Sequence, residues 1–163
     1  MAKSDNLLEI EWEGLVELDE EFEKMEEEFE EILVEEYTKY GLLVEEGAKA
    51  LAHRDDGDLE ETIRFNPAEV EADSVSVEGG ANAEHALVRH EAPYRPGTHD
   101  KYENGSKFKK YYLNGRGRKT LRKPDWRGYR PGRKFLENAI KATENDYYNM
   151  NERILDRTLG EKK

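Results

Sequence analysis

The sequence predicts an α+β fold: a long N-terminal amphipathic helix and a C-terminal helix packed on a small antiparallel sheet, with a long basic loop insertion. Three observations point there. Apolar residues recur at helical spacing over 19–51 and again from Phe135 to Leu155. Short β-rich runs bounded by turn residues lie between them. Residues 92–130 keep no sustained period and are rich in Lys and Arg.

The elements follow in chain order. "LLEIEWEGL" alternates well enough for a short first strand. Leu15, Leu18, Phe22, Met25, Phe29 and Ile32 then step by threes and fours, and a slightly rotated stripe continues through Leu33, Tyr37, Tyr40, Val44, Ala48 and Leu51. At ~1.5 Å per residue, a helix over 19–51 is about 50 Å long. Its outer face is nearly all Glu. Like charges at i, i+4 disfavour an isolated helix by a few tenths of a kcal/mol per pair. Burial of the apolar stripe must therefore supply its stability. Gly41 and Gly47 mark an expected bend, because glycine costs about 1 kcal/mol in a helix interior.

"HRDDGDLEET" has the chemistry of a turn, with Gly57 at a left-handed position and Asp58 available as a cap. "ETIRFNP" and "DSVSVEGG" read as short strands, and "HALVRHEA" is a third candidate with Ala86, Val88 and His90 on one side. Prolines and glycines from Pro93 to Gly128 then punctuate a long loop, with room for a short helix or hairpin around "KFKKYYL". Pro131 stands near the start of the last helix. Phe135, Leu136, Ala139, Ile140, Thr143, Tyr147, Met150, Ile154 and Leu155 keep its spacing, and Gly160 stops it.

The chain of 163 residues reads as a single domain, 1–163, with a basic arm at about 92–130. Charged residues make up 39% and apolar residues 36%, so much of the surface is solvated or faces a partner. There is no cysteine, which excludes a disulfide framework and a Cys-based zinc site and fits a reducing compartment. No apolar run approaches the roughly 20 residues that cross a bilayer, and the N-terminus lacks the pattern of a signal peptide. The expectation is a soluble protein made inside the cell, without a membrane partner.

The formal net charge of −12 is unevenly spread. Residues 1–71 hold 25 acids and 6 bases, whereas residues 93–134 hold 14 bases and 3 acids. Such polarity reports on partners more than on fold. Within the basic part, Arg116, Arg118, Lys119, Arg122, Lys123, Arg127 and Arg130 alternate with Trp126 and Tyr129. Arginine and lysine neutralise phosphates and aromatics stack on bases, so a small nucleic-acid-binding protein is one reading. No recognition-helix, RRM or OB pattern accompanies it. The other reading pairs these residues with an acidic inter-subunit face, Glu20, Glu23, Glu27, Glu30 and Glu31, on a neighbouring copy.

Nothing makes a positive case for catalysis. His85, His90 and His99, with Glu84 and Glu91, match neither H-E-x-x-H nor its inverse. "RDDGDLEE" fails the EF-hand register. There is no Gly-rich phosphate loop and no nucleophile elbow. No catalytic, cofactor or metal residue is assigned.

Four stretches, taken in order, resemble a known family. "GLVEL" (Gly14–Leu18) leads into a helix ending in "GAKALA" (Gly47–Ala52). "DDGDLEETI", with Asp55, Asp56, Gly57, Asp58 and Leu59 as its turn, resembles D-T-G-x-L-x-x-S-I. "HALVRHEA" is similar to Y-A-x-x-x-E-x-G-T, and "GRKFLENAI" to P-x-P-F-L-x-x-A. Asp56, Thr62 and His85 stand where the family pattern has Thr, Ser and Tyr, and Glu91-Ala92 replaces its G-T. This is the pattern of the neck and tail-completion (head–tail joining) proteins of long-tailed double-stranded DNA phages and related archaeal viruses. The resemblance implies an α+β fold and a non-enzymatic, cofactor-free virion protein, made in the host cytoplasm and placed at the head–tail junction. It further implies a ring of copies touching head-completion or connector proteins and tail proteins, with genomic DNA passing through the channel.

Overall fold

In a computed structural model of the chain, the described residues are 15–55, 57–72, 74–82, 86–91 and 94–160, with side chains described from Glu20 onward. The strand expected at "LLEIEWEGL" lies outside them except for Leu15, which is already helical.

One helix dominates. α1 runs unbroken from Leu15 to Leu51, starting four residues before the expected 19–51 and with the first residue of its apolar stripe. Gly41 and Gly47 do not interrupt it. They are places of close approach: a Cβ on Gly47 would stand 2.5 Å from the Trp126 ring, and one on Gly41 2.7 Å from Val77 Cγ1. Packing, rather than a bend, explains both glycines.

The stripe on α1 is buried progressively. Phe22 is 58% exposed and Met25 43%, whereas Val44 is 3% exposed and Ala48 and Leu51 are fully buried. The core therefore gathers at the C-terminal end of α1, where Val44, Ala48, Leu51 and Ala52 meet Ile63, Phe135 and Ala139. Tyr40, Leu59, Phe65, Trp126, Tyr129 and Leu136 close over it.

After α1 come α2 (Asp58–Thr62), β1 (Ile63–Phe65), β2 (Glu69–Glu71), β3 (Ser74–Ser76) and β4 (Gly79–Ala81). Gly57 is left-handed (φ 96°), as its place in the turn requires. Asp58 opens α2 without capping it, because Gly57 holds the N-cap position and no side chain caps the helix. β1 pairs antiparallel with β4 (Arg64 opposite Gly80) and β2 with β3 (Val70 opposite Val75). The expected small sheet is thus divided into separate two-stranded ribbons. Strands of three residues bury too little to join, and each ribbon leans on α1 instead.

"HALVRHEA" is a helix, not a strand: α3 spans Ala86–Glu91. Its alternation was weak, and Ala86 and His90 also share a helical face, which packs His90 edge-on against Phe135 at 5.0 Å. The basic region is structured too. It holds a hairpin, β5 (Thr98–Glu103) with β6 (Ser106–Leu113), and a short α4 (Arg118–Leu121). The hairpin falls where "KFKKYYL" allowed one.

The last helix is two. α5 (Phe135–Ala142) and α6 (Glu144–Leu159) meet at Thr143, which is fully buried. Its hydroxyl donates back to the Ala139 carbonyl (2.9 Å) and lies 3.2 Å from the Tyr40 hydroxyl, a back-bond that bends helices. Pro131 precedes the N-cap, Lys134, by three residues and so sits in the entry loop. Gly160 ends α6 in the left-handed region. α5 and α6 return along α1, where Arg153 and Arg157 donate to the buried Glu36 carboxylate at 2.8–3.2 Å.

Candidate interaction surfaces

The basic residues split into two groups. Lys123 has gone inside: its side chain is only 6% exposed, and Nζ donates to the Lys49 and Ala52 carbonyls, both at 2.8 Å, and to Glu60 Oε1 at 2.9 Å. It thereby satisfies carbonyls that the end of α1 would leave open. Burial lowers its pKa from the ordinary lysine value, and Glu60 works in the opposite direction. Trp126 packs on Gly47, and Tyr129 covers the core. Arg127 stacks over Trp126 at 4.9 Å and pairs with Asp146. Thr120, 2% exposed, accepts from the Arg54 N–H at 3.0 Å, and Lys119 donates to the Asp55 carbonyl. Arg118 donates to the Lys109 carbonyl at 2.7 Å. These contacts fasten the segment across the C-terminal end of α1.

Arg116 and Arg130 form the second group and stay together. They line a cleft of about 260 Å³ with His53, Tyr94, Asn114, Gly132, Arg133 and others. The cleft joins His53, two residues past α1, the tight turn after β6, and the loop that enters α5. Among the described residues, no carboxylate lies within ion-pair distance of Arg116 or Arg130. His53 is 8% exposed, and its Nε2 has no hydrogen-bond partner among the described residues. Burial, reinforced by Arg89, Lys123 and Arg116, lowers its pKa to about 4. Arg122, the residue that caps the C-terminus of α4, is exposed.

Glu20, Glu23, Glu27, Glu30 and Glu31 are all exposed on the first half of α1. No side chain from Glu20 to Glu31 makes a hydrogen bond or ion pair among the described residues. The first bonds from α6 reach α1 only at Glu35 and Glu36. Residues 20–31 of α1 therefore project as a spur of roughly 18 Å. The spur carries Phe22 and Met25 in the open, on an acidic rod.

In the family-motif turn, Asp55 is tied to the hairpin: Lys101 Nζ donates to it at 3.0 Å and Tyr111 OH at 3.2 Å. Burial opposes the charge on Asp55, yet these partners outweigh it and lower its pKa. Gly57 and Leu59 complete the turn, Leu59 against the core; Asp56 lies outside the described residues. His85 and Glu84 also fall outside them, and among the described residues no cluster of His, Asp and Glu is arranged to hold a metal. His90 bonds Glu91 and His99 the Pro96 carbonyl. No described helix is long and apolar enough to cross a membrane.

Sequence reasoning missed His53, because a lone histidine after a helix carries no pattern. It also missed the hairpin as a display surface, where Tyr102 (72% exposed), Phe108 (41%), Lys109 and Lys110 face outward.

Residues 17–89 match the model of the family described as "Bacteriophage HK97-gp10, putative tail-component". The matched segment takes in the spur, the helix end "GAKALA" and the "DDGDLEETI" turn. "GRKFLENAI" lies beyond it. Neither a curated protein nor a solved structure matches the chain.

Proposed function

We propose that this chain, whose residues 17–89 match a phage tail-component family, is a structural virion protein of the head–tail junction. In this reading copies form a ring that joins or completes the tail at the neck, touching connector and tail proteins on either side. The observation that carries it is the spur. A helix studded with Glu on one face and with Phe22 and Met25 exposed on the other is poorly stabilised alone. Within its own fold it has no partner among the described residues, so an assembly supplies one. Head-to-tail contacts between one acidic and one basic surface close into a ring where the rotation between copies closes.

The test is sedimentation velocity on the purified chain, wild type against Phe22→Glu/Met25→Glu. The wild type should form a discrete assembly, and the double variant should stay monomeric with the urea midpoint of wild type diluted until it dissociates. A wild type that is monomeric throughout, and that grips duplex DNA with a steep salt dependence, would instead support the nucleic-acid-binding reading.

A further inference from the structure

The His53 cleft gathers positive charge that no carboxylate among the described residues answers at Arg116 or Arg130. Three positive groups bear on the His53 ring, Arg89 from α3, Arg116 from the turn after β6, and Lys123 from the loop after α4. Lys123 is answered by Glu60, but among the described residues no carboxylate pairs with Arg116 or Arg130 on the walls of the cleft. Arg133 also lines it. His53 itself is more than nine-tenths buried, with Nε2 unpartnered. A buried polar nitrogen without a partner is costly, and so is a knot of like charges. An oxyanion entering the cleft relieves the second: the Arg116 and Arg130 guanidiniums can donate to it, and its negative charge favours protonation of the His53 ring that lines the same cleft.

We propose that this cleft is an oxyanion seat that receives a glutamate carboxylate from the α1 spur of a second copy. The inference rests on the ring reading and adds to it which surfaces meet. Charge complementarity selects the occupant. Among the described residues the spur glutamates Glu20, Glu23, Glu27, Glu30 and Glu31 have no ion-pair partner, and neither do Arg116 and Arg130 on the walls of the cleft. A nucleic-acid backbone is the weaker candidate, because a chain of net charge −12 with an acidic rod repels a long polyanion. Spur and cleft stand on different parts of the molecule, so the contact is head-to-tail, and each copy's seat is incomplete without its neighbour.

Two full-length variants test this. In the first, all five spur glutamates become Gln; in the second, Arg116→Ala and Arg130→Ala open the cleft. Circular dichroism establishes that both fold. Each alone should associate at least about tenfold more weakly than wild type. Mixed in equal amounts they should form a dimer and nothing larger, since one intact spur then meets one intact cleft. In that dimer the His53 ring signal, followed by NMR in the spur variant, should titrate at higher pH than in the spur variant alone. If the wild type assembles and either variant assembles as well as it does, the seat is wrong although the ring stands. If the wild type never assembles, the ring reading falls first. Retention of a short DNA duplex by wild type, lost in the cleft variant, would also overturn the proposal.

Discussion

At the residue scale, charge does two opposite jobs in one basic segment. Lys123 is spent inside the fold, holding the last carbonyls of α1 and the Glu60 carboxylate. Lys123→Met would leave those acceptors buried without a donor, and we expect a loss of about 2–4 kcal/mol in urea unfolding. A loss under 0.5 kcal/mol would mean water replaces the ammonium without cost. His53 makes a pH prediction. Its folded pKa is depressed to about 4, against an ordinary 6.5, so between those values the unfolded chain holds more protons. Its contribution is therefore complete above pH 6.5 and is lost as pH falls towards 4, by about 3 kcal/mol at most. The wild type should lose stability over that window more steeply than His53→Gln, and equal slopes would contradict the assignment. In Lys101, burial works against the charge, yet Asp55 and Glu103 prevail and raise its pKa, the mark of the ion pair that ties the hairpin to the family-motif turn.

At the scale of elements, α1 is an anchored half and a free half. Gly47 sits in the anchored half, under Trp126. Gly47→Ala gains up to about 1 kcal/mol of helix propensity but drives a methyl into the indole, so a net destabilisation of about 1–3 kcal/mol is expected in thermal or urea melts. A stabilised variant would show that Trp126 yields easily. How far these elements were legible follows from range. The helical stripe of α1 is a local period, and it announced the element to within a few residues. The break at Thr143 left no trace, because Thr143 occupies a core position that an uninterrupted helix would also bury. "HALVRHEA" was ambiguous because a short apolar run fits either period. The separation of β1–β4 from β2–β3 depends on long-range pairing of three-residue strands, which no local pattern encodes. The same holds for the cleft. Arg116 and Arg130 were legible only as members of a basic run, and only folding brings them into one cleft with His53.

At the scale of the whole molecule, the unequal division of charge finds a physical form. The acidic residues crowd a helix that leaves the body, and the basic residues wrap and line the opposite end of that helix. Such a molecule is poorly neutralised alone and better neutralised in a series of copies. Added salt should therefore weaken assembly of the purified chain, with the apolar contact of Phe22 and Met25 leaving a salt-resistant remainder. An assembly that tightened with salt would point to a purely apolar interface. The measurement that bears most directly on the central claim is cryo-electron microscopy of purified particles. The account predicts a ring of this chain at the head–tail junction, with each acidic spur lying on the next copy. Particles that lack the chain, or that carry it elsewhere than the neck, would contradict it.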